Sequence, residues 1–147
     1  MSGPHQPIDI LLVEDNATDV LLLREALEGS RLVGGLYTVP DGVEAMAFLR
    51  REGRHRDAPR PSLILLDLNL PRRDGREVLG DIKTDEALKR IPVVVLTTSR
   101  SKDDVATAYG LHANCYVVKP ADYDQFSEVV QKIEDFWFVV VTLAAAQ

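Results

Sequence analysis

Five residues able to do chemistry stand just past apolar runs: Glu14 and Asp15 after the first, Asp67, Thr97 and Lys119 after later ones. Three carboxylates drawn within a few ångströms repel one another, and burying an unpaired charge is costly, so a cation must sit among them. Magnesium suits the set. It takes hard oxygen ligands in octahedral geometry, retains waters, and pairs carboxylates with a phosphate oxygen. Calcium asks for more protein ligands than the cluster offers, and zinc favours His or Cys, which the cluster lacks. Lys119 adds a compact positive charge for a phosphoryl oxygen or for Asp67 itself, and Thr97 a small hydroxyl donor. Together these are the parts of a phosphoryl-transfer site, where positioned groups neutralise charge spread over the oxygens around phosphorus. Asp67 is the candidate nucleophile, attacking phosphorus to give an acyl phosphate. An ionised carboxylate already carries the attacking electron pair, so no histidine base is needed.

These residues need a scaffold that brings distant chain segments to one edge. Five short runs rich in Val, Ile and Leu recur along the chain, at residues 8–13, 36–39, 63–66, 93–96 and 116–118. Continuous apolar runs of this length suit strands buried on both faces of a parallel sheet. Between them lie segments with helical spacing, from Thr18 to a natural C-cap at Gly29 in the first case and over 42–51, 76–83, 103–109 and 123–136 in the others. Strand then helix, five times, predicts a doubly wound, flavodoxin-like (βα)5 sandwich on a five-stranded parallel sheet. In such sheets the functional crevice lies outside the carboxyl ends of the strands, where all five residues fall. Each acid taken singly is equally well a helix or turn cap. It is their recurrence with Thr97 and Lys119 at four strand ends that marks a site.

Length and composition bound the answer. A chain of 147 residues fits one domain with its own core and leaves no room for a folded output domain. With 46% hydrophobic and 27% charged residues it reads as water-soluble and globular. The net charge of −6, without a basic block, argues against nucleic-acid binding. A lone cysteine, Cys115, excludes an intrachain disulfide and fits a reducing cytoplasm. No signal peptide is evident at the N-terminus, and the longest apolar run is far short of the roughly 20 residues that span a bilayer, so no membrane role is expected. The expected organisation is a flexible N-terminus (1–7), a domain over 8–136, and an apolar C-terminal extension (137–147). Residues 52–61, with three Arg, two Pro and a Gly, read as a solvated connector.

The motifs resemble those of receiver domains of two-component response regulators. Glu14-Asp15 follows ILLV, Asp67 lies in LLDLNLPRRDG, Thr97 in PVVVLTTS, and Lys119-Pro120 in CYVVKP. The resemblance covers about residues 8–136 and implies a role for each position. Asp67 matches the phosphoacceptor, and Asp15, Asp67 and the backbone carbonyl of Asn69 match the direct Mg2+ ligands. Glu14 matches an acid that reaches the metal through water. Thr97 matches the switch hydroxyl and Tyr116 the aromatic that rotates inward behind it. Read on its own, Tyr116 is equally an ordinary half-buried sheet aromatic with a wet hydroxyl. Lys119 matches the pocket lysine, usually followed by a cis proline, here Pro120. Pro71, Asp74 and Gly75 match the turn supporting the loop after the phosphoacceptor.

The chain departs from the pattern in places. Glu14 replaces the commoner Asp and lengthens the reach to the metal, Thr98 in place of a small residue narrows access, and Ala121 stands where a bulky apolar residue is common. With the 52–61 loop and the tail, these features resemble single-domain regulators that partner bacterial phytochromes and related sensor histidine kinases. The resemblance implies a self-phosphorylating and autodephosphorylating switch rather than an enzyme with its own substrate. Terminal output through protein contact and an intermediate shuttle in a phosphorelay both remain open. An aspartate-nucleophile phosphatase of the haloacid dehalogenase type needs a second Asp two residues after the first, where this chain has Asn69. A nucleotide-binding module needs a Gly-rich loop after the first strand, where this chain has acidic EDNATD. Finally, the last helix carries Phe126, Val129, Val130, Ile133 and Phe136 and runs into Trp137 and Phe138. So much apolar surface predicts a homodimer through the C-terminal helix and tail, the alternative being a tail that folds back on its own domain as an extra cap.

Overall fold

The computed structural model describes residues 8–28 and 33–140. The expected flexible segment 1–7, the cap at Gly29 and residues 141–147 of the extension lie outside the described residues.

Five strands, β1 (Ile8–Val13), β2 (Val33–Val39), β3 (Leu63–Leu66), β4 (Val93–Thr97) and β5 (Cys115–Val118), form one parallel sheet in the order β2-β1-β3-β4-β5. Helices α1 (Ala17–Glu28), α2 (Gly42–Arg50), α3 (Gly75–Thr84) and α4 (Lys102–Gly110) make the crossovers, and α5 (Tyr123–Glu134) follows the last strand. This is the doubly wound sandwich that the alternation predicts.

The apolar runs are continuous because both faces of the sheet are covered. Leu11, Val13, Ile64, Leu66, Val93 and Val95 point to one face, where they meet Phe48 and Leu49 of α2 and Val78, Leu79 and Ile82 of α3. Ile10, Leu12, Leu63, Leu65, Val94 and Leu96 point to the other, against Leu23 and Leu27 of α1 and Phe126, Val130 and Ile133 of α5. All five helices start on side-chain caps: Asn16, Asp41, Asp74, Ser101 and Asp122 each accept a backbone N–H from the first turn of the helix that follows.

Three expectations are corrected. Strand β2 begins at Val33, three residues ahead of the predicted 36–39. Its two glycines carry no side-chain pattern, but the strand still pairs with β1, Val33 opposite Ile8 and Gly35 opposite Asp9, with Gly34 passed over at a bulge. Loop 52–61 is exposed over much of its length, as a solvated connector is, but it is ordered where its composition predicts no regular structure. It holds a 3-10 turn at Gly53–His55, and Arg51 Nε donates to the Ala58 carbonyl at 3.0 Å while Arg60 donates to the Leu49 carbonyl at 2.8 Å. Arg54 and His55 both reach Glu44 Oε1, and His55 packs on the Phe48 ring at 5.5 Å. Arginine guanidinium groups satisfy the carbonyls that the loop would otherwise leave to water. Lastly, the helix runs past the predicted end into a π-helical turn, Asp135–Val140, and Trp137, four residues after Ile133 on the same helical face, packs in the core beside Phe126, Val130 and Ile133. Trp137 is therefore part of the domain's own interior, whereas Phe136 is 51% exposed.

Candidate functional site

The sheet order reverses direction at β1, which lies between β2 and β3, so the crevice opens at the carboxyl ends of β1 and β3. Backbone pairing carries the site residues one step past their strands. Glu14 N donates to the Val39 carbonyl at 3.1 Å, Asp67 N to Val13 at 3.1 Å, and Lys119 N to Thr97 at 2.7 Å. Glu14, Asp67, Thr97 and Lys119 are buried, and Asp15 is exposed at the mouth. Carboxylate oxygens of Glu14, Asp15 and Asp67 lie within 4.8 Å of one another.

Lys119 Nζ sits at the centre of the charges. It contacts Glu14 Oε1, Asp19 Oδ2 at 2.9 Å and Asp67 Oδ2 at 3.2 Å. Burial by itself would lower the pKa of this ammonium, but the hydrogen bonds it donates to Glu14 and Asp19 and the charges of Glu14 and Asp67 outweigh it, and it is raised. Burial also raises the Glu14 carboxyl, to about 7, against the opposing pull of Lys119. One ammonium does not balance these acids. The donor set fits a divalent cation, being composed of hard oxygens without His or Cys.

Thr97 ends β4, fully buried, and its Oγ1 has no hydrogen-bond partner among the described residues. A buried hydroxyl without a partner is rare and marks a place where a further oxygen belongs. Behind Asp67, the loop is pressed against the start of α3. Gly75 N donates to the Leu68 carbonyl at 2.9 Å, and a Cβ on Gly75 would stand 2.2 Å from the Asp67 carbonyl oxygen. Gly42 meets the same loop from α2, with room for no side chain against the Arg73 carbonyl. Asn69 lies exposed on this loop and its N–H donates to Asp67 Oδ1 at 3.2 Å.

Tyr116 is half-buried, but its hydroxyl is not wet: it donates to the Ser99 carbonyl at 2.9 Å in the loop that follows Thr97. That loop is tied down further, since Ser99 Oγ donates to Asp104, whose other oxygen takes Arg76 of α3 at 2.7 Å. The expected cis bond at Pro120 is absent. Every peptide bond among the described residues is trans, the form that an X-Pro bond favours by roughly 0.5 to 1 kcal/mol. Thr98 and Ala121 are both exposed. The residue that the motifs did not single out is Asp19. Its signal was faint: a carboxylate one helical turn past Asp15, in the first turn of α1.

A parallel sheet with an acid pair after β1, an acid after β3, a hydroxyl after β4 and a lysine after β5 defines a receiver. The chain belongs to the response regulator receiver domain family, whose model matches residues 10–131. It is 53% identical over 142 residues to response regulator Rcp1 of Synechocystis sp., a match that covers 97% of each chain. The crystal structure of the phosphorylated cyanobacterial phytochrome response regulator RcpA is similar with a TM-score of 0.92 and 53% identity, over 95% of this chain and 100% of that one. The Mn2+-bound form of Rcp1 gives 0.92 and 52% over the same shares. No helix among the described residues is long and apolar enough to cross a membrane.

Proposed function

We propose that this receiver takes a phosphoryl group onto Asp67 from a sensor histidine kinase of the bacteriophytochrome class and passes the signal to a partner protein by a change of shape. The single observation that carries the reading is the buried, unpartnered hydroxyl of Thr97 beside a carboxylate cluster and a lysine. Similarity to a cyanobacterial phytochrome regulator supports the choice of kinase. Asp67 attacks the phosphorus of a phosphohistidine. The new bond is carboxylate oxygen to phosphorus, the broken one is phosphorus to imidazole nitrogen, and the electron pair leaves with the imidazole. Glu14, Asp15, Asp67 and the Asn69 backbone carbonyl are the groups to hold Mg2+, which when bound neutralises charge on the transferred group. Lys119 donates to the phosphoryl oxygens, and Thr97 supplies the hydroxyl that they lack at the β4 end. The domain turns over only its own phosphoryl group, and its kinase-fed chemistry and free Cys115 suit the cytoplasm. Acetyl phosphate with Mg2+ tests the reading directly: peptide mapping should find one phosphoryl group per chain, on Asp67, and labelling elsewhere overturns it.

Thr97 also makes the switch testable. Leaving a buried hydroxyl unpaired costs about 1 to 3 kcal/mol, so the near-isosteric Thr97→Val is expected to stabilise the unphosphorylated protein by about 1 kcal/mol. The same variant should still accept phosphate while losing the conformational response that runs through Thr97 and Tyr116. Urea denaturation reads the first effect, and amide exchange over residues 98–118, with and without phosphorylation, reads the second. A variant no more stable than wild type, or one whose exchange responds as wild type does, contradicts this role.

The apolar tail supports a homodimer. Trp137 is spent on the core, but Phe136 is exposed at the end of α5 where residues 137–147 continue. The full chain is expected to sediment as a dimer at tens of micromolar, and deletion of residues 141–147 together with Phe136→Ser to give monomers. Monomeric sedimentation of the full chain, phosphorylated or not, removes the dimer.

A further inference from the structure

The three carboxylates bonded to Lys119 are unequal, and the inequality assigns a task to Asp19. An ammonium has three N–H donors and no more. Glu14, Asp19 and Asp67 take all three, so Lys119 has none left for a phosphoryl oxygen. Whatever oxygen arrives must displace one of them. Glu14 is 2% exposed and bonded again by Asn16 N, so releasing it would strand a charge in the interior. Asp67 is the residue that carries the new group. Asp19 is 18% exposed and stands in the first turn of α1, where water and the positive end of the helix stabilise a freed carboxylate.

We propose that Asp19 is a positioning residue that occupies one Lys119 donor in the unphosphorylated state and yields it to the phosphoryl group, which unties the start of α1 from the end of β5. The inference rests on the phosphoacceptor reading of Asp67. Asp19 then restrains the reaction twice: it holds the donor that the incoming oxygen needs, and it adds negative charge facing a dianion. The tether joins the first turn of α1 to the residue that follows β5, so its release acts on α1, an element separate from the loop after Thr97.

The test uses the full chain, acetyl phosphate and Mg2+, with the labelling rate followed by intact mass. Asp19→Ala is expected to label about tenfold faster than wild type, which corresponds to ~1.4 kcal/mol in the barrier. Asp19→Asn, which keeps the shape and carries the comparison if the alanine variant unfolds, should also be accelerated, and Asp19→Glu should return to the wild-type rate. A purely structural role in α1 predicts no acceleration. The second readout is amide exchange over residues 17–23. Wild type should exchange faster there once phosphorylated, while in Asp19→Asn phosphorylation should change little. If both charge-removing variants label Asp67 at the wild-type rate, or if wild-type exchange in α1 does not respond, the proposal is overturned while the phosphoacceptor reading stands. Absence of labelling at Asp67 in every variant, wild type included, removes both.

Discussion

Asp67→Asn is expected to abolish phosphorylation by acetyl phosphate or kinase and to leave the fold intact. The substitution keeps the side-chain shape and removes the electron pair that attacks phosphorus, and no other group in the pocket replaces it. Glu14 is buried and bound to Lys119, and Asp15 sits exposed at the mouth. The fold survives because the change removes one of several mutually repelling carboxylates. Asp67 N still pairs with the Val13 carbonyl whatever the side chain. Thermal unfolding should therefore occur at or above the wild-type temperature. Metal affinity should fall, since an anionic oxygen is lost from the cluster. Intact mass after incubation with the phosphodonor decides the matter, and a variant that gains one phosphoryl group per chain would falsify the nucleophile.

Gly75→Ala should be nearly as damaging, although residue 75 carries no functional group. The added Cβ would lie 2.2 Å from the Asp67 carbonyl oxygen and 2.6 Å from Leu68 Cα, both backbone, so α3 must back away from the loop. Overpacking of this kind costs about 1 to 3 kcal/mol. The displaced loop is the one that aims the Asp67 carboxylate, and misplacement by an ångström can slow a positioned reaction about hundredfold. The sign is diagnostic. By helix propensity alone, alanine in place of glycine stabilises a helix by up to about 1 kcal/mol. Gly80, in the same helix, is the control: its Cβ would touch only Leu111 Cδ2 at 3.7 Å, and Gly80→Ala should stabilise. Urea denaturation and labelling rates of the two variants test the account together. If both stabilise and both label normally, the close approach at Gly75 has no functional weight.

The sequence by itself determined the sheet, its covered faces and the edge where chemistry gathers. Runs 8–13 and 63–66 coincide with β1 and β3 because double-sided burial demands apolar side chains at every position, a constraint written locally. Glu14, Asp15, Asp67, Thr97 and Lys119 were legible for a related reason. A chemical residue at the end of four of the five runs stands out against them, and parallel topology brings those ends together. Only the tertiary structure decided the rest. Val33–Val39 is a strand because backbone donors pair with β1, and backbone pairing leaves no mark on the glycines at its start. Trp137 faces inward because the helix continues past Phe136 and sets it one turn beyond Ile133 on the same face, a continuation that the apolar tail does not announce. Loop 52–61 is ordered by arginines that reach carbonyls and Glu44 across a fold of chain, whereas its composition alone reads as solvated. Asp19 joins the pocket through an ammonium that lies 100 positions away. Local patterns record what each residue must avoid, namely water or bulk. Partners so far apart along the chain meet only once the backbone has closed, so the fold and not the motif chose which acids share Lys119.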